Sequence, residues 1–434
     1  MTARPVAHSV PEIEGQLEKL WAQAAVARAQ AAQAENALIA AQAEAAARAA
    51  TSDTSATSDT SATSATSATS GAGSHNVAAR TSVLNLVVVA GDQGSAEKCA
   101  ATILGAASRH ASRSLILSAV DPEGPAGLEA RIDALAMSPA GGRAETGAET
   151  VHVVVRGETG LHLASIIVPL LVHDLPVALW WPNDPPLGSH RADRLLPIAD
   201  RLIVDGSAWT GNGLDLLGLL AVAAEQHQLV VADWALLRQA RWREAIASVY
   251  DLPDLRPHLG AVRRIEVEYA AAEPGDPAGK TNVVRPLYHV AWLASRLGMT
   301  VAEPVNRESD GRRTATLRQK DHAVEVVLRP VVSDLGAGST VRVKIVSRLR
   351  GAELVGEVAA GDRSVEVMVW DNGRERVRRV YVAPRLTDVD LLGRAVEEGA
   401  ADPVAVHALA MAGRLLGVES ALHKAERHRS QDHD

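Results

Sequence analysis

The sequence predicts an α/β N-terminal domain, a mostly parallel sheet covered by helices, followed by a C-terminal α+β domain with antiparallel strands. Three observations carry this expectation. Over residues 81–260, unbroken apolar runs such as "VLNLVVVAG" alternate with helical patterns, as strands buried on both faces require. Over 261–420, runs such as "TVRVKIVSRL" alternate apolar with charged residues, the pattern of strands with one wet face. Ahead of both lies "TSDTSATSDTSATSATSATSGAGS" at 51–74, a repeat without core-forming residues, so 51–80 is expected to be a disordered Ser/Thr/Ala linker.

The bulk properties agree with a folded protein of more than one structured unit. The 434 residues exceed one ordinary core, and 47% are apolar against 22% charged. A net charge of −8 gives no general attraction to nucleic acid or to an anionic membrane. The single cysteine, Cys99, excludes an intrachain disulfide and any CxxC arrangement, and reads as a small buried residue on a helix. No apolar run reaches the length of a membrane span and no signal-peptide core stands at the N-terminus, so a cytoplasmic protein is expected.

Taken in order, residues 1–21 contain a docking helix. Ser9 and Glu12 have capping-box spacing, and Ile13, Leu17, Leu20 and Trp21 share one face. Residues 22–50 extend it as an Ala-rich helix with little to bury. In the α/β domain, "VLNLVVVAG", "SLILSAV", "TVHVVVRG", "PVALWW" and "DRLIVDGS" read as strands. "GSAEKCAATILGAASRHA", "GLHLASIIVPLLVHD" and "GLDLLGLLAVAAEQ" read as helices. "LEARIDALAM" alternates Ala130, Ile132 and Ala134 with Glu129, Arg131 and Asp133, which predicts an edge or antiparallel strand. In the α+β domain, "RIEVEYA" begins the strands, 282–299 forms an amphipathic helix, and Asn372-Gly373 marks a hairpin. Helices at roughly 388–398 and 403–416 close the fold, and 421–434 is a flexible tail.

Chemical signatures are scarce. There is no Walker A loop, GxGxxG, GxSxG elbow or HExxH. "AGDQGS" precedes a helix as a phosphate loop would, but Asp92 would repel a phosphate and the residues suit an ordinary turn. His152, His162 and His173 lack metal-ligand spacing, so no metal site, cofactor or catalytic set is expected. The basic run 374–379 reads as a solvated face or as a patch for an acidic partner. Asp205 ends a strand and either caps the next turn or faces the crevice beyond the strand ends.

Five segments, "VLNLVVVAG", "IIVPLLVHDLPVALWWPNDPP", "ADRLIVDGSAW", "RWREAIASVYD" and "AWLASRLGM", together resemble the glucose-6-phosphate dehydrogenase assembly protein OpcA family. The likeness runs from about residue 81 to the segment "DVDLLGRAVEEGAADPVAVHALA". It implies a non-catalytic factor that binds glucose-6-phosphate dehydrogenase and promotes its active oligomer. Two features depart from the family pattern. Trp234 directly follows Asp233, where the family places its Trp three residues on, and 22–78 looks like an insertion.

Candidate partner contacts are Trp180, Trp181, Asn183 and Asp184 in "WWPND", Asp205 and Trp209 in the next strand end, and Arg238, Trp242 and Arg243 around the Trp-Arg helix. Pro176 and Pro182 bracket a five-residue strand, so Trp180 and Trp181 must point to opposite faces. One of them is expected in the core and one, Trp181, at a partner. The alternative function is an enzyme or sensor that binds a phosphorylated sugar or nucleotide in the crevice. The chain's own oligomeric state stays open.

Overall fold

The computed structural model describes residues 6–52, 83–107, 112–137, 146–397 and 402–418. The expected linker (apart from 51–52) and the tail at 421–434 lie outside the described residues. The chain enters through β1 (Val6–Ala7) and a single long helix, α1 (Val10–Ser52). The Ser9 hydroxyl accepts from Glu12 N, while the Glu12 carboxylate reaches back to His8 N, one residue short of a standard capping box. Ile13 and Leu17 are buried, so the first turns of α1 dock as their spacing predicts. Docking helix and Ala-rich extension are one continuous helix.

An α/β unit follows, built from β2 (Leu84–Ala90), α2 (Gln93–Ala106), β3 (Ser112–Val120), β4 (Gly127–Met137) and β5 (Thr146–Arg156). It continues with α3 (Leu163–Leu170), β6 (Val177–Trp181), α4 (His190–Leu195), β7 (Arg201–Val204), α5 (Leu214–Gln226), β8 (Val230–Asp233), α6 (Trp234–Leu237) and α7 (Ala240–Ser248). The sheet order is β1-β4-β5-β3-β2-β6-β7-β8, parallel from β5 to β8. β4 is antiparallel to β5, and the two residues of β1 cover its outer edge. The six parallel strands follow the doubly wound order 3-2-1-4-5-6, whose direction reverses between β2 and β6.

The second sheet contains β9 (Val262–Ala270), β10 (Thr300–Arg307), β11 (Arg313–Gln319), β12 (His322–Val331), β13 (Thr340–Leu349), β14 (Ala352–Ala360), β15 (Ser364–Asp371) and β16 (Arg374–Val382). Its order is β10-β11-β12-β9-β13-β14-β15-β16. All pairs are antiparallel except β9–β12, which are parallel because α8 (Val284–Arg296) lies between them in the chain and carries it back across the sheet. Asn372 and Gly373 (φ 48° and 78°) make a two-residue turn between β15 and β16, the left-handed pair that a tight hairpin requires.

The last helices join the two sheets. α9 (Asp388–Glu397) packs on α2, and buried Arg201 at the start of β7 donates to the Ala395 carbonyl at 2.5 Å. α10 (Pro403–Leu415) packs on both α8 and α5. Sequence order groups these helices with the second sheet, whereas their contacts span both. The core divides accordingly. The larger cluster holds Trp181 and runs into the second sheet, and the smaller one holds Trp180 between the first sheet, α2 and α9.

Candidate functional site

The crevice lies beyond the carboxyl ends of β2 and β6, where the strand order reverses and where open α/β sheets hold their ligands. The first turn of α2 has unpaired backbone N–H groups that would suit an anion. Asp92 already occupies this position. Its Oδ1 accepts from Ser95 N at 2.8 Å and its Oδ2 from Ser95 Oγ at 2.6 Å. The Ser95 hydroxyl, with the backbone N–H groups, holds the Asp92 carboxyl below its usual range, so the group is a carboxylate at neutral pH. Asn183, from the loop after β6, completes the closure. Its Oδ1 accepts from Gly91 N at 3.0 Å and its Nδ2 donates to Ser95 Oγ at 3.2 Å. Gly91 N, Ser95 N and the Ser95 hydroxyl are therefore engaged by the chain's own side chains.

Beside this turn opens a cleft of about 530 Å³ between α2, the first turn of α9 and the ends of β6, β7 and β8. Trp180 and Trp234 lie among its lining residues with ring centroids 5.2 Å apart, tilted by 45°. Asp184 accepts from Thr210 N at 3.0 Å and from the Thr210 hydroxyl. Asp205 caps the turn after β7 through Ser207 and also pairs with Arg238, whose Nη1 lies 2.8 Å from both carboxylate oxygens. Both readings of Asp205 thus hold in one geometry. The Arg238 guanidinium lies 5.8 Å from the Trp234 ring centroid and 3.8 Å from Asp388. Cys99 also lines the cleft, but burial, with Asp388 and Asp92 nearby, pushes its thiol up to about 12, which leaves it unreactive.

Behind the cleft, Asp233 ends β8 and is 3% exposed. It accepts from Gly206 N at 2.9 Å, Ala235 N at 2.8 Å and the Tyr288 hydroxyl at 2.9 Å. Burial pushes its carboxyl up to about 6 despite these bonds. A Cβ at Gly206 would stand 2.7 Å from Asp233 Oδ2 and 2.8 Å from Val284, so the close approach of these elements requires glycine there. Asn282 donates to the Gly206 and Trp209 carbonyls, and Arg285 donates to Ser207 Oγ at 3.0 Å. Helix α8 of the second unit is thereby pinned to the strand ends of the first.

The structure brings Trp180, Asn183, Asp184, Asp205 and Arg238 together at this cleft. Trp181 and Trp209 are 2% and 4% exposed in the larger core, so the ring expected at a partner is the one sealed on the far face. Trp242 stands 5.3 Å from the ring of buried His289, and Arg243 donates to the Leu236 carbonyl at 2.8 Å, both away from the cleft. Sequence reasoning missed Trp234, Lys98 and Asp388 as cleft residues. The four residues of β8 are too few for a period to show, and Asp388 reaches the site only through the packing of α9 on α2.

Elsewhere, an apolar groove of about 460 Å³ between α5 and α10 has, among the described residues, only Glu225 and Arg414 as charged lining groups, so these offer no converging polar set. Among the described residues, no three His, Cys, Asp or Glu side chains gather as metal ligands, and no helix is long and apolar enough to cross a membrane.

Comparison with known proteins adds sequence evidence. Residues 105–220 match the family described as the glucose-6-phosphate dehydrogenase subunit N-terminal domain, and 230–409 match its C-terminal domain. A protein of Synechocystis sp., provisionally named an OxPP cycle protein OpcA, is 28% identical over 151 residues. That match spans 34% of this chain and 30% of the relative's length. Among solved structures, UDP-N-acetylglucosamine 3-dehydrogenase GnnA from Acidithiobacillus ferrooxidans aligns at 13% identity and TM-score 0.38, over 78% of this chain and 98% of that one. The transcriptional regulator Gal80p from Kluyveromyces lactis aligns at 10% identity and TM-score 0.39, over 77% of this chain and 85% of that one. Likenesses this distant carry no argument about function.

Proposed function

Since the chain belongs to the OpcA family of glucose-6-phosphate dehydrogenase subunits, we propose that it is a non-catalytic assembly factor that docks on that dehydrogenase and promotes its active oligomer. One observation carries the non-catalytic part. The α2 turn, where a doubly wound sheet would seat a dinucleotide pyrophosphate, is closed by Asp92 and Asn183. A phosphate entering there would meet the Asp92 carboxylate and find Gly91 N and Ser95 N already engaged. The same closure weighs against the alternative reading, a phosphorylated sugar or nucleotide in the crevice.

We place docking at the mouth of the cleft, where Asn183, Asp184 and Thr210 are exposed and half-buried Asp205 and Arg238 stand behind them. Trp181 and Trp209 support that surface from the core. Trp242 and Arg243, half-buried on α7, are secondary candidates.

The test is a mixture of the purified chain and the dehydrogenase, followed by mass measurement and by dehydrogenase rate across enzyme concentrations. A heavier species with a raised rate is expected, weakened by Asp184→Arg. Absence of both co-migration and any rate change would remove the reading.

A further inference from the structure

The two edges of the second sheet differ. At one edge, β10 is broken by register shifts between Val301 and Glu303 and between Glu303 and Asn306, and it carries Pro304; such devices keep a free edge from pairing. At the other edge, β16 has a shift only near its start, opposite Val369 and Trp370. It runs regularly through Arg378, Arg379, Val380, Tyr381 and Val382. Among the described residues, β15 is its one hydrogen-bonded neighbour in the sheet. Val380 and Val382 are 66% and 75% exposed.

Backbone parity fixes what this edge offers. Ala383 N donates to the Arg363 carbonyl at the end of the β15–β16 pair, so Tyr381 and Arg379, at alternate positions, also bond to β15. Arg378, Val380 and Val382 therefore turn their N–H and C=O groups to the free side. The arginines do not guard that side with unmatched charge. Arg378 pairs with Glu366 and Glu375, and Arg379 with Asp251. An acidic strand would find these guanidiniums already engaged.

A second copy of the same strand makes no such demand. In an antiparallel pair with Val380 on the twofold axis, Val380 faces Val380 of the second copy and Arg378 faces its Val382. Arg379 then faces Tyr381 of the second copy rather than another arginine. Every outward position from Arg378 to Val382 becomes a bonded pair. Moving the axis one residue back would set Arg379 against itself, and two residues back would set Arg378 against itself. Like charges directly opposite disfavour both. Moving it one residue forward would bring Pro384, which has no N–H, opposite Arg378 and shorten the ladder.

We propose that two copies of this chain pair through β16, antiparallel about Val380, so that the second sheet continues from one copy into the other. The interface is small, so the dimer is expected to dissociate on dilution. Pairing is a property of the chain alone and is independent of docking to the dehydrogenase.

The test is sedimentation of the full chain alone, from nanomolar to submillimolar concentration, where a monomer–dimer equilibrium is expected. Val380→Pro removes the N–H donor that each copy places on the axis. It spares the β15 ladder, because that N–H points away from β15. Val380→Lys sets two ammonium groups against each other at an exposed position. Each variant, first shown to fold by thermal melt, should weaken the dimer by about tenfold or more. A mixture of Val380→Lys with Val380→Glu should recover a one-to-one dimer, because position 380 faces itself. The pairing is overturned by a monomer at every concentration, by a dimer that Val380→Pro and Val380→Lys both leave unchanged, or by opposite-charge variants that do not associate. Each outcome is read without the dehydrogenase, so pairing and docking can fail separately.

Discussion

The central strands of the first sheet have helices on both faces, and all seven positions of β2 are buried. In the second sheet α7 and α8 cover one face only, and β9 alternates buried with part-exposed residues through most of its length. The difference appears in what fills the second face. In the first sheet, Trp180 and Trp181 both have apolar surroundings although they point opposite ways. On the open face of the second sheet, Glu266 instead joins Arg264 and Arg329, and Arg342 lies between Glu268 and Glu357. A face covered by helices tolerates only apolar or fully paired groups, whereas a face open to water carries cross-strand ion pairs at little cost. The two units meet where the strand ends of the first reach α8, and buried Asp233 accepts from buried Tyr288 across that seam.

The sharpest test of this contrast is a pair of tryptophans. Trp181→Ala removes a ring sealed in the larger core and should cost ~3–5 kcal/mol in denaturant unfolding. Trp370 is only part-buried on the open face, alternating with buried Val365, Val367 and Val369, so Trp370→Ala should cost clearly less. Equal losses would break the comparison.

The seam comes next in size. Asp233→Ala strands three buried donors, those of Gly206, Ala235 and Tyr288, and should cost about 3 kcal/mol. Asp233→Asn keeps all three contacts if its amide nitrogen donates to the Tyr288 hydroxyl, and should fold with stability within about 1 kcal/mol of the parent at pH 7. The acid side adds a signed prediction. The Asp233 carboxyl titrates near 6, above its ordinary value, so its contribution is full at low pH and is lost as pH rises through about 6. His289 is the reverse. Burial, with Arg243 and Arg285 nearby, pushes it down to about 3, so its contribution is full above the ordinary imidazole value and is lost as pH falls. Between about pH 4 and 6 the two slopes oppose. Asp233→Asn leaves the histidine slope alone, so its stability should fall more steeply on acidification than the parent's. Unfolding at stepped pH measures this, and parallel profiles would contradict it.

The smallest effect belongs to the open face. Burial would raise the Glu266 carboxyl, but Arg329 and Arg264 hold it below its ordinary range. Its contribution is present at neutral pH and lost as pH falls through that lowered value. Glu266→Gln should cost under about 1 kcal/mol at neutral pH, and the cost should shrink in salt. A larger, salt-insensitive loss would mean that this face is less open than its neighbours indicate.

Much of this was legible because it is local. "VLNLVVVAG" is the fully buried β2, "LEARIDALAM" is the antiparallel β4, and Asn372-Gly373 forms its hairpin turn. Three of the strands missed in reading the residues have weak patterns. β8 has four residues, β10 is exposed at most positions, and β14 has Gly356 and several alanines where bulk would mark a face. The parallel pairing of β9 with β12 is invisible because alternation is the same in either direction.

The sequence by itself determined that Asp92 would close the first turn of α2, since that bond spans three residues, and that Trp180 and Trp181 would part to opposite faces, since a strand has a period of two. Backbone geometry settles such relations before any packing occurs. Only the tertiary structure decided which of the two rings would line a cleft, because that depends on what covers each face. It placed α2 and α9 over Trp180, and it brought Lys98, Asp184, Asp205, Trp234 and Asp388 to one place from positions far apart in the chain. Strand order and helix docking rest on the summed burial of the whole core, which no short stretch encodes.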